Sequence, residues 1–553
     1  MMTRLKRGRW DAWSLITVAI FLLTLVFLLI PLAALFFSAF HDPKTGAVSL
    51  RNFIEFFTNP YYYKALLNSV KVTVVVTAIC ILIGVPMAYL MTTCNIKGKR
   101  LLEMLIILSM MSPPFIGAYS WILLLGRNGF LSNLVKDLLG IQIPSIYGFG
   151  GIALVFTMKL YPYIYIYVSG ALSKLDASLP EAAENLGCTP LKKVFSIIAP
   201  LILPTVSAGA LMVFTNAFSD FGTPMMIGEG YRVMPVLVYT EFVGEVGGSA
   251  NFAAALSMLM VLITVVIFVV QRYVVDRKSY EMSFLRPLEV QKMGPLKSVL
   301  AHLFLYGVVC VSILPQVNII FSSFRNSSGP IYKPGFSLDS YRAAIEKFSF
   351  TIFNTYRFAL IAILIVMVLG MAIAYVSVRR KNPLTNLLDV VTMFPMIISG
   401  TVMGITLLLA FNSKPLLLSG TAAIMIVSFV IRRMPYTIRS SSAILRQMSP
   451  SVEEASVSLG CTPLQTFWKV TCPLMMSGVL SGLILSWITI INELSSSVIL
   501  FTGRTSTMSV AVYTEVSRNN YGTASALSSI LTVTVILSLL LFFKLSGKKS
   551  ISL

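Results

Sequence analysis

Apolar runs of membrane-spanning length recur along this chain, and that recurrence leaves few folds open to it. The first, SLITVAIFLLTLVFLLIPLAALFFSAF (14–40), carries no charged side chain. A hydrocarbon core about 30 Å thick is crossed by about 20 apolar residues of helix. Inside lipid every backbone N–H and C=O must be paired within the protein, which admits only helices and closed barrels. Short alternating strands of the barrel type are missing from the sequence. The runs therefore predict an all-α transmembrane bundle of twelve helices, at about 14–40, 65–92, 101–126, 149–171, 196–219, 251–271, 297–322, 353–378, 386–411, 415–438, 469–492 and 526–544. Composition agrees: 12% of residues are charged and 56% hydrophobic, where soluble domains carry about 25% charge.

The chain is internally duplicated. NSVKVTVVVTAICILIGVPMAYL (68–90) aligns with NTYRFALIAILIVMVLGMAIAYV (354–376), matching Asn68 to Asn354, Gly84 to Gly370 and Tyr89 to Tyr375. Farther on, an offset of 273 holds without a gap from Phe156/Phe429 to Asp220/Glu493, and VYTE occurs at 238–241 and 512–515. Six spans per copy is an even number, so both copies run the same way, as a parallel repeat about an axis along the membrane normal. The expected organisation is a first half at 1–271, a mixed-charge linker at 272–296 and a second half at 297–553.

The net charge of +21 follows topology. The clusters TRLKRGR (3–9), KGKR (97–100), RRK (379–381) and KLSGKK (544–549) all fall on one predicted side. Short loops rich in Lys and Arg stay inside, so both termini are expected in the cytoplasm, and no nucleic-acid partner is implied. The first apolar run is too long for the roughly 7–15-residue core of a signal peptide and reads as an uncleaved first span. The six cysteines suggest neither a disulfide framework nor a metal site, and the two histidines, His41 and His302, are too few for a His-based one. The chain has no GxxxxGK[ST] nucleotide loop; GKKS (547–550) lacks the upstream glycine.

Two polar stretches stand out, LPEAAENLGCTPLKKVF (179–195) and SPSVEEASVSLGCTPLQTFWKV (449–470). Each joins the fourth and fifth spans of its half, within loops at about 172–195 and 439–468. Each reads as a short helix with acidic residues in its first turn, where they complement the helix dipole. Gly187 and Gly460 sit where a left-handed residue would end it, and Pro190 and Pro463 open the next helix. A well-capped surface helix is one reading; retention in two equivalent places suggests a shared contact at the cytoplasmic face.

The first stretch, with the residues to Pro204, resembles the EAA loop of the permeases of ATP-binding cassette importers. Glu181, Ala182, Ala183 and Gly187 match that pattern, as do Glu454, Ala455 and Gly460; Ser456 replaces the second alanine of the second copy. The resemblance implies the type I importer permease fold in the bacterial inner membrane. It also implies ATPase-coupling helices that dock on two copies of a cytoplasmic ATP-binding subunit, and an extracytoplasmic substrate-binding protein. This chain would then be no enzyme and hold no cofactor, ATP being consumed by the partner.

Ionisable residues in or beside spans are candidates for a translocation path. Lys159 matches Arg432, Asp220 matches Glu493, and Tyr163 matches Tyr436. The basic pair can equally snorkel or bind carbonyls, and the acids can simply sit at an interface. FSDFGTPMMIG (218–228) followed by VYTEF resembles the ferric-iron branch of these permeases, a branch also similar to those for thiamine, 2-aminoethylphosphonate and polyamines. Fe³⁺ is a hard cargo suited to oxygen ligands such as Asp220 and Glu493. A gradient-driven secondary transporter is the rival class, but TTCNIKGKRLLE (92–103) matches its basic loop poorly. A membrane scaffold would need larger soluble segments.

Overall fold

The computed structural model describes residues 11–42, 47–110, 114–244, 249–277 and 293–546. Most of the expected linker and the terminal basic clusters lie outside these. The described residues are almost entirely helical, with one two-stranded antiparallel sheet, Arg325–Ser328 against Ile331–Phe336. Eight helices are long and apolar enough to cross a membrane, and three bent helix pairs raise the number to at most eleven. The expected third, ninth and eleventh spans are these broken pairs; Pro383–Ile397 and Gly400–Phe411, for example, meet at 115°. The expected tenth span, about 415–438, corresponds to helix Ala422–Gln447, which does not qualify. It is long enough but carries Arg432, Arg433, Arg439 and Arg446, and charge at that density is costly in lipid.

The described chain forms two compact units. Among the described residues, the smaller comprises 11–41, 348–510 and 537–546, and the larger comprises those within 42–347 together with 511–536. The N-terminal span thus packs with residues of the second sequence half. Trp13 lies 4.4 Å from Tyr375 and 5.0 Å from Phe467, ring centre to ring centre, and Asp11 pairs with Arg380 at 2.9 Å. Ile20 joins a buried cluster with Ile373, Leu388 and Ile438. Correspondingly, Pro295–Ser323, the opening span of the second half, belongs to the larger unit. Ser120 Oγ donates to the Pro315 carbonyl at 2.6 Å, and the Tyr161 and Ser312 hydroxyls are 3.2 Å apart.

The repeat is visible in packing inside each unit. In the larger one, Pro60–Thr93 crosses Phe149–Leu172 at Gly84, where an added Cβ would lie 2.6 Å from Ile164 Cβ. In the smaller one, a Cβ on Gly370 would lie 2.9 Å from Thr437 Cγ2, and Thr437 occupies the place of Ile164 in the repeat. The matched glycines are close-approach sites, which is why neither half carries a side chain there. The matched asparagines also do one job. Asn68 donates to the Arg232 carbonyl and Asn354 to that of Arg504, both at 3.0 Å. Their neighbours Ser69 and Thr355 accept the backbone N–H of Met234 and Met508, both at 2.8 Å, where the VYTE helices begin. A side chain from another helix thereby satisfies an orphan N–H at each helix start.

Candidate functional site

Both polar stretches fold as expected locally, into helices Ser178–Asn185 and Ser451–Ser458. Their ends are the same to the hydrogen bond. Gly187 N–H donates to Glu184 O at 2.9 Å and Cys188 N–H to Ala183 O at 3.0 Å; Gly460 donates to Val457 at 3.0 Å and Cys461 to Ser456 at 3.2 Å. This pair of bonds is a Schellman motif. It places the glycines at φ +80° and +93°, a region that a Cβ disfavours. Each loop then turns into a helix opened by Pro190 or Pro463, and each continues through a π-helical turn, Val194–Ile198 and Phe467–Thr471. Such π turns are rare and cluster at functional places.

Within these helices Ala183 and its counterpart Ser456 are buried, whereas Ala182, Glu454 and Ala455 are exposed and Glu181 is half-buried. The departure at Ser456 has a local reason: a buried hydroxyl needs a partner, and Thr466 Oγ1 lies 3.0 Å away. In the first copy the position of Thr466 is held by the buried Lys193, whose ammonium pairs with Glu184. Each loop is thus pinned to its following helix, by an ion pair in one copy and two hydroxyls in the other. The second loop has a further anchor. Glu453 accepts from Arg379 Nε at 3.0 Å and from the Tyr375 hydroxyl at 3.3 Å.

Leu186 and Leu459, immediately before the glycines, are 85% and 87% exposed. Sequence reasoning passed over them, although an apolar residue repeated at the end of a polar helix was there to be noticed.

The four ionisable path candidates meet in pairs, one pair in each unit. Lys159 Nζ lies 3.0 Å from Asp220 Oδ2; Arg432 and Arg433 both contact Glu493. The side chains of the two acids are buried, 7% and 4% exposed. Each also caps the chain that follows it: Asp220 Oδ1 accepts the Thr223 N–H at 3.0 Å, and Glu493 Oε1 that of Ser496 at 3.2 Å. One clip thus joins helix Phe149–Leu172 to the end of Ala199–Ser219, the other joins Ala422–Gln447 to the end of Cys472–Ile491, and each starts the next short helix. Arg433, which the sequence pairing omitted, makes the second clip two cations to one anion. Gly400 leaves room for this cluster, since a Cβ there would lie 2.6 Å from Arg432 Nη1. Tyr163 and Tyr436 are half-buried on the same helices as the bases.

The VYTE motifs also come together in the larger unit, where the Tyr239 and Tyr513 hydroxyls are close enough to influence one another electrostatically. Glu515 is buried and pairs with Lys347 at 2.9 Å. Its counterpart Glu241 is half-buried, and burial together with the nearby Glu55 raises its carboxyl above the usual range. No group of three or more His, Cys, Asp or Glu able to hold a metal ion occurs among the described residues.

The described residues thus form a helical membrane bundle with an internal repeat, each copy of which carries a polar hairpin of the same build. The chain belongs to the family of binding-protein-dependent transport system inner membrane components, whose pattern matches twice, at 80–280 and 366–549. It is 27% identical over 539 residues to the ferric transport system permease protein FbpB of Actinobacillus pleuropneumoniae, covering 95% of this chain and 77% of that one. It is 26% identical over 515 residues to a putative ferric transport permease of Haemophilus influenzae, covering 91% and 80%. The spermidine/putrescine permease PotB of Haemophilus influenzae is 30% identical over 230 residues, covering 41% of this chain and 79% of PotB. The chain is accordingly the permease of an importer of the ATP-binding cassette type.

Proposed function

We propose that this permease carries ferric iron, handed over by an external binding protein and driven by two copies of a cytoplasmic ATPase docked on the two polar loops. The observation that carries the cargo is coverage. The similarity to proteins named as ferric permeases runs through both halves, over 95% and 91% of the chain; PotB is matched over 79% of its own, shorter length and so bears on one half alone. The bundle reads as twelve spans in two halves of six, with helix Ala422–Gln447 as the tenth. Its arginines are tolerated because Glu493 answers two of them. Both termini and both loops then face the cytoplasm, where the basic clusters are.

In this reading Glu181, Ala182, Ala183 and Gly187, with Glu454, Ala455 and Gly460, form the docking surfaces, tipped by Leu186 and Leu459. ATP-driven approach of the two ATPase subunits would bias a two-state bundle through these contacts. Asp220 and Glu493 already hold cationic partners, so they serve first as clips and meet the cargo only if Lys159 or the arginines let go. The test is ATP hydrolysis by the chain in vesicles with its ATPase and binding protein. Stimulation by the iron-loaded binding protein, and none by thiamine, 2-aminoethylphosphonate or polyamines, is the expected result. Stimulation by one of those instead would overturn the cargo, and failure to bind any ATPase would overturn the loop assignment.

A further inference from the structure

Inside the larger unit, the first turns of helix Pro295–Ser323 border a cleft of about 470 Å³. Lys97, Ser298, Val299, His302, Leu303 and Tyr306 line it, and its size lies in the range that holds small ligands, about 300–1,000 Å³. Two side chains of that helix hold the Lys97 backbone. Lys97 N–H donates to His302 Nε2 at 3.1 Å, and the Tyr306 hydroxyl donates to the Lys97 carbonyl at 2.9 Å. A backbone N–H can only donate, so Nε2 is the bare nitrogen. Nδ1 then carries the proton and donates it to the Ser298 carbonyl at 2.7 Å. Gly98, at φ +69°, lets the Tyr306 hydroxyl approach, since a Cβ there would collide with it. The Lys97 backbone is thus fixed while its side chain stays exposed.

The groups around the cleft are ordered along the helix. Its first turn carries Lys297 and Ser298, and the KGKR cluster adds Lys97, Lys99 and Arg100; all four cations are exposed. Glu103 lies near Lys99 and Arg100. Lys97 and Lys297 are in no ion pair among the described residues. Val299 and Leu303, at i and i+4 on one side of the helix, are 64% and 69% exposed. On a helix of spanning length such a surface meets acyl chains. Cations at the end, a hydroxyl and a phenol beside them and bare aliphatic surface beyond match an anionic headgroup with its chain beneath. We infer that this cleft binds one anionic phospholipid, its phosphate on Lys97 and Lys297 and its chain along Val299 and Leu303. The orientation proposed above makes the leaflet the cytoplasmic one; the site itself does not depend on it. The lipid fastens the connection after helix Pro60–Thr93 to helix Pro295–Ser323, where His302 and Tyr306 already hold it.

The experiment follows lipid retention by native mass spectrometry, and thermal unfolding, of the purified chain in a neutral detergent. The additives are dioleoylphosphatidylglycerol, dioleoylphosphatidylcholine and inorganic phosphate. Phosphatidylglycerol should bind saturably and raise the unfolding temperature, because a ligand of the folded state stabilises it, and should bind less at high salt. Lys97→Gln and Lys297→Gln should each weaken binding about fivefold, the worth of one basic side chain at an anionic surface. Without lipid, both variants should unfold with the parent. Val299→Trp, which fills the cleft, should abolish binding, whereas Lys333→Gln, on strand Ile331–Phe336, should leave it unchanged. Equal binding of phosphatidylcholine, equal loss from Lys333→Gln, or no loss from Lys97→Gln would overturn the site. An equal thermal shift with inorganic phosphate alone would overturn the lipid as its ligand. Micelles have no sides, so a negative result falls on the site and leaves the proposed orientation untouched.

Discussion

Asp220→Asn tests whether the ion pair in the larger unit is a clip. Removing one member of a buried pair costs about 3–5 kcal/mol, because the other charge is left without an answer. Lys159 keeps 19% exposure and can lift its ammonium along a flexible stem, which puts the expected cost near about 3 kcal/mol. Asparagine keeps Oδ1 as the acceptor for Thr223; alanine loses that cap too and should cost about 1 kcal/mol more. Lys159→Met alone strands Asp220, which is the more deeply buried partner, and should be at least as damaging. The double variant Lys159→Met/Asp220→Asn removes both charges and should return to within about 1 kcal/mol of the parent. Thermal unfolding in detergent reads the cycle, with midpoints of the single variants lower by roughly 3–4 °C. Transport in vesicles reads the role: a clip predicts that the stable double variant still transports. A double variant no more stable than the worse single one would refute the pairing argument. A stable double variant that carries no iron would instead place Asp220 in the path.

Glu493→Gln should unfold at a lower temperature than Asp220→Asn, because it strands two buried guanidiniums where the other strands one ammonium; equal midpoints would contradict this. Gly84→Ala and Gly370→Ala should each cost about 1–3 kcal/mol by overpacking, read as lost thermal stability, since their added methyls meet Ile164 and Thr437. Gly187→Ala and Gly460→Ala meet nothing within 4 Å, so their penalty is the left-handed backbone alone, about 1–2 kcal/mol; hydrogen exchange should show it confined to the loop. Leu186→Ser and Leu459→Ser should leave the unfolding temperature unchanged and weaken ATPase co-purification, and a fall in stability without loss of the partner would count against the docking role.

Much of this protein could be read from the chain because the signals are local. A span is a run of apolar residues, and a Schellman end is a glycine placed after a short helix, so both loops appear in the sequence with their turns. The repeat showed which residues are equivalent, but equivalence is not contact. Lys159 was matched to Arg432 and Asp220 to Glu493, whereas the bonds run from Lys159 to Asp220 and from Arg432 to Glu493. Those partners are about sixty residues apart, and nothing local records that two helices cross there. The same holds for Arg379 and Glu453, and for the first span of each half, which packs in the unit built mainly from the other. Hydrophobicity specifies that a helix must be buried in lipid or protein, without specifying which neighbours cover it. That choice is made by shape and charge at close range, at Gly84, Gly370 and the paired ions, and only the folded chain brings those groups within reach.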